Sequence, residues 1–253
     1  MKNSTIKSSF LYFLGIITII IIWIISSSLI NNDLVIPSID DVGRSLAILL
    51  SKKNTYLIIL NTIYKLVLAL AIGFIIALVL GLISYLVKGF SIFITPIIAL
   101  ARMVPVATII IILLMIIGNK SSPYIITLLV IIPIMYESIL TGFNSIQKGI
   151  IEEVKMLTNV NSLVIGKIYL PLITPYMLSG IVSSVGLGLK VMVMAEFIAQ
   201  TPNTIGYELN QEKAFLEINN VFAWTIILVI FILIVEFLLK YFNKKIVKIQ
   251  GSY

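Results

Sequence analysis

The sequence predicts an all-α integral membrane protein with six transmembrane helices, and three observations carry that expectation. Of 253 residues, 60% are hydrophobic and only 11% are charged. Mean hydropathy is +1.14, far above that of a soluble globular domain. Several apolar runs reach the roughly 20 residues an α-helix needs to cross a hydrocarbon core. These runs are continuous, whereas transmembrane barrel strands alternate apolar and polar residues over about 10 positions, so a β-barrel is excluded.

Six spans are predicted, at about 10–29, 58–87, 93–117, 123–142, 172–196 and 220–241, within one domain covering 1–253. The first follows Lys2 and Lys7 and runs into Ser26-Ser27-Ser28-Leu29-Ile30. It lacks the short core and small-residue cleavage pattern of a signal peptide and reads as a retained helix. Pro37-Ser38-Ile39-Asp40-Asp41-Val42 then offers Ser38 or Asp40 as the cap of a short helix through Leu50, lying outside the bilayer. The third span holds Arg102 beside Pro105, which removes a backbone donor and kinks a helix. Arg102 cannot shed its proton and needs carbonyls, a carboxylate or water; Glu137 in the fourth span is a candidate partner. Between the fifth and sixth spans, Thr201-Pro202-Asn203 and Gly206 mark a turn. No internal repeat or soluble domain is evident.

The net charge of +7 reads as membrane orientation rather than nucleic-acid binding. With the N-terminus inside, the cytoplasmic segments carry Lys2, Lys7, Lys88, Lys148, Lys155, Lys167, Lys240, Lys244, Lys245 and Lys248. The outer segments carry Arg44, Lys52, Lys53, Lys120 and Lys213. Ten against five places both termini in the cytoplasm by the positive-inside bias.

Cysteine and histidine are both absent. Disulfides, thiol nucleophiles and Cys or His metal ligands are therefore excluded, and the commonest general base is missing. No stretch has the Gly-x-x-x-x-Gly-Lys-Ser/Thr pattern that cradles nucleotide phosphates. Energy for any transport must come from a partner or from an ion gradient.

In the fifth span, Gly180, Ser184 and Gly188 share one helical face, which reads as a close-packing surface. A second face carries Ser179, Ser183, Gly186 and Lys190 and is the more polar one, a candidate pathway lining. An intramembrane lysine is costly at a helix centre, so Lys190 either faces a partner, water or substrate or snorkels to the interface. Glu196 closes the same span; six positions from Lys190, it would pair with it only across a helix or subunit interface. Lys65 carries the same two readings as Lys190. Together Lys190, Glu196, Arg102, Ser179, Ser183 and Gly186 form the candidate pathway set, and its cations favour an anionic solute.

The polar interval at about 145–168 carries Val154, Leu157, Val160 and Val164 at three- and four-residue spacings. That pattern predicts a narrow apolar stripe on a short helix, with Glu152 and Glu153 near its start complementing the helix dipole. Such a helix wants a partner groove, the alternative being an interfacial helix on lipid headgroups.

Gly142-Phe143-Asn144-Ser145-Ile146, Glu152, Leu157 and the closing Ile168-x-Leu170-Pro171 resemble the cytoplasmic loop of bacterial ABC-importer permeases. Glu153 and Val154 stand where that family usually has two alanines, and Thr158 where it has glycine. Pro37-Ser38-Ile39-Asp40-Asp41-Val42 and Arg102-Met103-Val104-Pro105 resemble the nitrate/sulfonate/taurine branch. The resemblance implies a type I importer permease with a cytoplasmic coupling helix, in which Glu152, Glu153, Val154, Leu157, Thr158, Val160, Leu170 and Pro171 meet an ABC ATPase. It further implies a second copy of the chain, an extracytoplasmic substrate-binding protein, and multi-pass residence in the bacterial cytoplasmic membrane. On that reading the chain is not an enzyme and binds no cofactor, ATP and Mg being held by the ATPase. An ion-coupled secondary transporter using Lys190, Glu196 or Glu137 is the alternative. A membrane-embedded enzyme would need a catalytic constellation that is not found.

Overall fold

The computed structural model describes the backbone of residues 2–250, and side chains for Leu11, residues 14–238 and Tyr241. Lys2, Lys7, Lys240, Lys244, Lys245 and Lys248, used above to orient the chain, lie outside the described side chains. Among the described residues every regular element is helical. They are α1 (Lys2–Ile30), α2 (Ile39–Ser51), α3 (Lys53–Leu86), α4 (Lys88–Met103), α5 (Val106–Asn144) and α6 (Lys148–Leu157). A short α7 (Ser162–Val164) leads through a π-helical turn, Ile165–Tyr169, into α8 (Leu170–Ala199), followed by α9 (Ile205–Ala214) and α10 (Ile218–Gln250).

Four described helices are long and apolar enough to cross a membrane: Lys53–Leu86, Val106–Asn144, Ser162–Ala199 and Ile218–Leu238. Their outward apolar side chains agree with a lipid solvent, Ile75 (61% exposed) and Leu233 (61%) among them. The apolar stretch of α1, Leu14–Ile30, is shorter. The expected third span, 93–117, is corrected. It is not one helix: α4 ends at Met103, Val104 and Pro105 are extended, and α5 begins at Val106. Pro105 has no N–H to continue the ladder, and the residue before a proline is pushed out of the α region. Between the expected third and fourth spans, α5 is interrupted by a kink at Gly118 (φ 75, ψ 177). That backbone conformation is essentially reserved for glycine.

Contacts divide the chain into two compact units: the chain up to Leu57 with Glu208–Leu228, and Ile58–Tyr207 with the chain from Val229. In the first unit Ser38 caps α2, its Oγ accepting from the Asp41 N–H at 3.1 Å, as the capping rule predicts. Trp23 on α1 donates its indole N–H to the Pro37 carbonyl at 3.0 Å and packs on Phe222 of α10.

The second unit is organised by α5 and α8, which lie antiparallel and close. Small residues make that approach possible. A Cβ built at Gly142 would lie 2.9 Å from Tyr176 Cβ, one at Gly180 2.9 Å from Ser138 Cβ, and one at Gly188 3.1 Å from Ile131 Cγ2. Helix α3 runs parallel to the later half of α5, with Gly81 against Ile139 and the Tyr136 hydroxyl donating to Ser84 Oγ at 3.0 Å. At one end Tyr85, Phe143 and Tyr169 form an aromatic cluster, joined in one core by Val154 of α6 and Val164 of α7. This core fastens α6 to α3, α5 and α8.

Candidate translocation pathway and coupling surface

Helix α6 lies within the 145–168 interval, but its register corrects two expectations. It starts at Lys148, so Glu152 and Glu153 occupy its middle, and no acidic residue stands in the first turn. The dipole argument for them therefore does not operate. Nor do Val154, Leu157, Val160 and Val164 form one stripe. The helix stops at Leu157; Val154 (6% exposed) and Val164 (5%) turn inward to the aromatic core, while Leu157 is 79% exposed. Met156, at 85%, stands beside it. Val160 lies in the non-helical stretch that follows. Thr158 ends the helix in extended backbone (φ −162, ψ 162), its N–H bonding the Val154 carbonyl. A β-branched residue is at home there, so the chain turns out of α6 without a glycine. Leu170 opens α8 with Pro171 in its first turn, where the missing N–H costs nothing.

On α8 the two predicted faces separate as expected in part. Gly180, Ser184 and Gly188 are buried against the neighbouring helices. Ser179, Ser183 and Lys190 are exposed, and Leu187 and Met194 continue their stripe. Gly186 is corrected: it is buried, and a Cβ there would lie 2.9 Å from Glu236 Oε1 of α10. It is a contact point for a carboxylate rather than part of the open face.

Glu196 is the larger correction. It is fully buried and makes a salt bridge of 3.8 Å not to Lys190 but to Lys65, itself 8% exposed. Lys65 thus neither snorkels nor faces an open route; it also lies 6.0 Å from the centre of the Tyr124 ring. The Thr62 hydroxyl, one turn before Lys65, donates to Glu196 Oε2 at 3.0 Å and accepts from the Ile205 N–H at 3.1 Å. The Gly206 N–H donates to Glu196 Oε2 at 3.4 Å. The carboxylate therefore sits at the N-terminus of α9, where backbone N–H groups and the helix dipole favour an anion. Gly206, read above as a turn residue, lies inside α9. A Cβ on it would come within 2.5 Å of Val193 O and Phe197 N. Thr201 completes the fastening by donating to the Asn119 carbonyl at 2.7 Å.

Arg102, at the end of α4, forms an ion pair with Glu137 of α5 through Nη1 and Oε1. Both side chains are about half exposed, at 51% and 48%. Arg102 lines a cavity of about 230 Å³ between the α4–α5 break and α8, whose remaining wall is aliphatic.

Two polar signals went unread in the sequence, the company of Thr62 beside Lys65 and the acid Glu236. Thr62 and Lys65 stand three apart in an apolar run, a spacing that puts both on one helical face and signals a shared polar partner. Glu236 is a lone acid in the last span, a signal in itself.

With this geometry in view, comparison identifies the class. The model of the family described as binding-protein-dependent transport system inner membrane component matches residues 69–248. The chain belongs to that family and is a membrane permease component of an ABC importer, not itself catalytic. Its fold is that of a type I importer permease. Two inward-facing crystal forms of the MetNI methionine ABC transporter are similar in fold. The selenomethionine-soaked form has a TM-score of 0.63 at 14% identity, covering 73% of this chain and 92% of that one. The native form has a TM-score of 0.61 at 11% identity, covering 77% and 99%. No curated protein sequence matches the chain.

Proposed function

We propose that the chain forms the translocation pathway of an ATP-driven importer for a small anionic solute, in the nitrate/sulfonate/taurine branch. It works as a single permease domain beside a second copy of itself, with both termini in the cytoplasm. An extracytoplasmic binding protein delivers the solute. ATP and Mg are held by separate ATPase subunits, and this chain carries no cofactor.

The observation that carries the reading is the tip of α6. Met156 and Leu157 stand 85% and 79% exposed on a helix whose other side is anchored by buried Val154. An apolar tip on a rigidly backed amphipathic helix fits a groove in a partner protein. Glu152, Glu153, Thr158 and Val160 flank the tip; Leu170 and Pro171 begin the helix that would receive its motion. Exposed Ser179, Ser183 and Lys190, with Arg102, support a polar and cationic route; buried Glu196 and Gly186 are left out of it. Transport itself is then a two-state packing equilibrium biased from both ends.

The test is Leu157→Asp, alone and with Glu152→Lys, in the reconstituted complex with its ATPase and binding protein. Uptake should collapse while ATP hydrolysis and membrane insertion persist. Unchanged uptake would remove α6 from the coupling role. Uptake that survives without ATP but needs a proton or sodium gradient would replace the reading with a secondary transporter.

A further inference from the structure

The cavity beside Arg102 has an unusual wall for a charged group. Apart from Arg102 its lining residues are aliphatic: Ala101 on α4, Val104 and Val106 at the helix break, Val130 and Ile134 on α5, Leu187 and Val191 on α8. Arginine stays protonated, so it needs a counterion in such a setting. Here Glu137 supplies one, but by a single nitrogen, Nη1, and with both partners half exposed. A guanidinium has five donors in a fixed fork and can take a second acid group edge-on. The pair is also placed where the backbone gives: Arg102 is two residues before the extended Val104–Pro105 link. In contrast to buried Glu196, the Glu137 side chain is 48% exposed, so it has room to leave.

We infer that this cavity is a binding site for a small organic anion, and that Glu137 is its built-in competitor. The acid group of the ligand takes Arg102 from Glu137, and the aliphatic part of the ligand lies against the valine and leucine wall. Glu137 thereby sets specificity. A neutral solute has nothing to exchange for the ion pair, and a cation finds Arg102 in its way. The same competition lets the ligand go, because the vacated guanidinium has a replacement at hand. The inference rests on the anionic reading of the proposed function and deepens it by naming the residues that select the solute.

The experiment uses the full-length chain in lipid nanodiscs, with butanoate as probe and butanol and butylammonium as controls, read by calorimetry. The apparent affinity of a site that is open only part of the time is reduced by that fraction. Glu137→Gln should therefore tighten butanoate by about tenfold if Arg102 is unpaired about a tenth of the time. Arg102→Gln should abolish binding. Val106→Trp, which fills the cavity and leaves both charges in place, should abolish it as well. Butanol and butylammonium should bind none of the proteins measurably. Equal butanoate affinity in wild type and Glu137→Gln, or binding retained in Val106→Trp, would overturn the inference. Because no ATPase or binding protein is in the sample, this result is independent of the transport assay. Butanoate binding that follows the pattern while ATP-driven uptake fails would sink the importer reading alone. Uptake that succeeds while Glu137→Gln changes nothing would sink this site alone.

Discussion

Replacing Lys65 with methionine tests the buried ion pair of α3 and α8. Methionine keeps most of the length and apolar stem of lysine, so the perturbation is electrostatic rather than a cavity. Glu196, fully buried, would then keep neutral donors, among them the Thr62 hydroxyl at 3.0 Å and the Gly206 N–H at 3.4 Å, and no cation. Removing one partner of a buried pair costs about 3–5 kcal/mol, because the remaining charge stays uncompensated. At about 2–4 °C per kcal/mol for a chain of this size, the midpoint of thermal unfolding should fall by about 6–20 °C. Glu196→Gln keeps an acceptor for Thr62 and Gly206 and should cost about 1–3 kcal/mol. The double variant should be less damaging than the sum of the two, with a coupling of about 0.5–3 kcal/mol. Fluorescence-detected gel filtration of heated, detergent-solubilised protein reads all three. A shift below about 2 °C for Lys65→Met, or strict additivity, would show that the pair does not hold these helices together.

Gly206→Ala should be among the most damaging glycine changes, since its Cβ would meet backbone at 2.5 Å from Val193 O and Phe197 N. Overpacking of this kind costs about 1–3 kcal/mol or more. Proteolysis at the 200–207 connection should accelerate, while Gly149→Ala, with nothing within 4 Å of its Cβ, leaves it unchanged; equal cleavage in both would refute the close-approach argument. Glu208 on α9 gives a pH signature. Burial pushes its carboxyl above the usual carboxylate range, the charge of Glu212 adds to the rise, and Lys52 opposes it. A raised folded pKa means the folded state favours the proton, so this stabilisation is full below the ordinary carboxylate pKa and is lost as pH rises through the elevated one. As pH rises above the ordinary Glu pKa of about 4.3, wild type should lose more thermal stability than Glu208→Gln, and parallel profiles would refute the assignment.

Much of this is legible in the sequence alone. Long apolar runs fix the helical membrane class because lipid offers no partner for a free backbone group. Ser38 was readable as a cap because capping depends on a few adjacent residues. Gly180, Ser184 and Gly188 were readable as a packing face because helical spacing alone puts them together. The misreadings share another cause. The start of α6 at Lys148 depends on how the backbone continues in three dimensions, and hydropathy varies too slowly to mark it; at Met103 the proline nearby signals a disturbance without saying whether the helix bends or ends. Glu196 reads as part of an open route in the sequence because its partners, Lys65 and Thr62, are more than 130 positions away. Periodicity on one helix says which residues share a face, and it says nothing of which other helix that face meets. Val154 and Leu157 illustrate the same limit: both are apolar at helical spacing, yet one anchors α6 and the other projects from it.

The Lys65–Glu196 and Arg102–Glu137 ion pairs divide the work according to their burial. Lys65–Glu196 is enclosed, and breaking it leaves a charge with no water to take it, so its loss is costly and its geometry is fixed. It ties α3 and α8 to the start of α9, at Ile205 and Gly206. Arg102–Glu137 is half exposed on both sides, and an exposed pair typically contributes about 0–1 kcal/mol. Such a pair can exchange partners on every turnover without endangering the fold. It also sits beside a helix break, while the enclosed pair joins continuous helices. A transporter needs both kinds: an arrangement that holds while the helices rock, and another that yields to the solute. Reversing their burial would give a rigid route and a loose frame, so the placement of the charges, more than their number, is what the long apolar helices make possible.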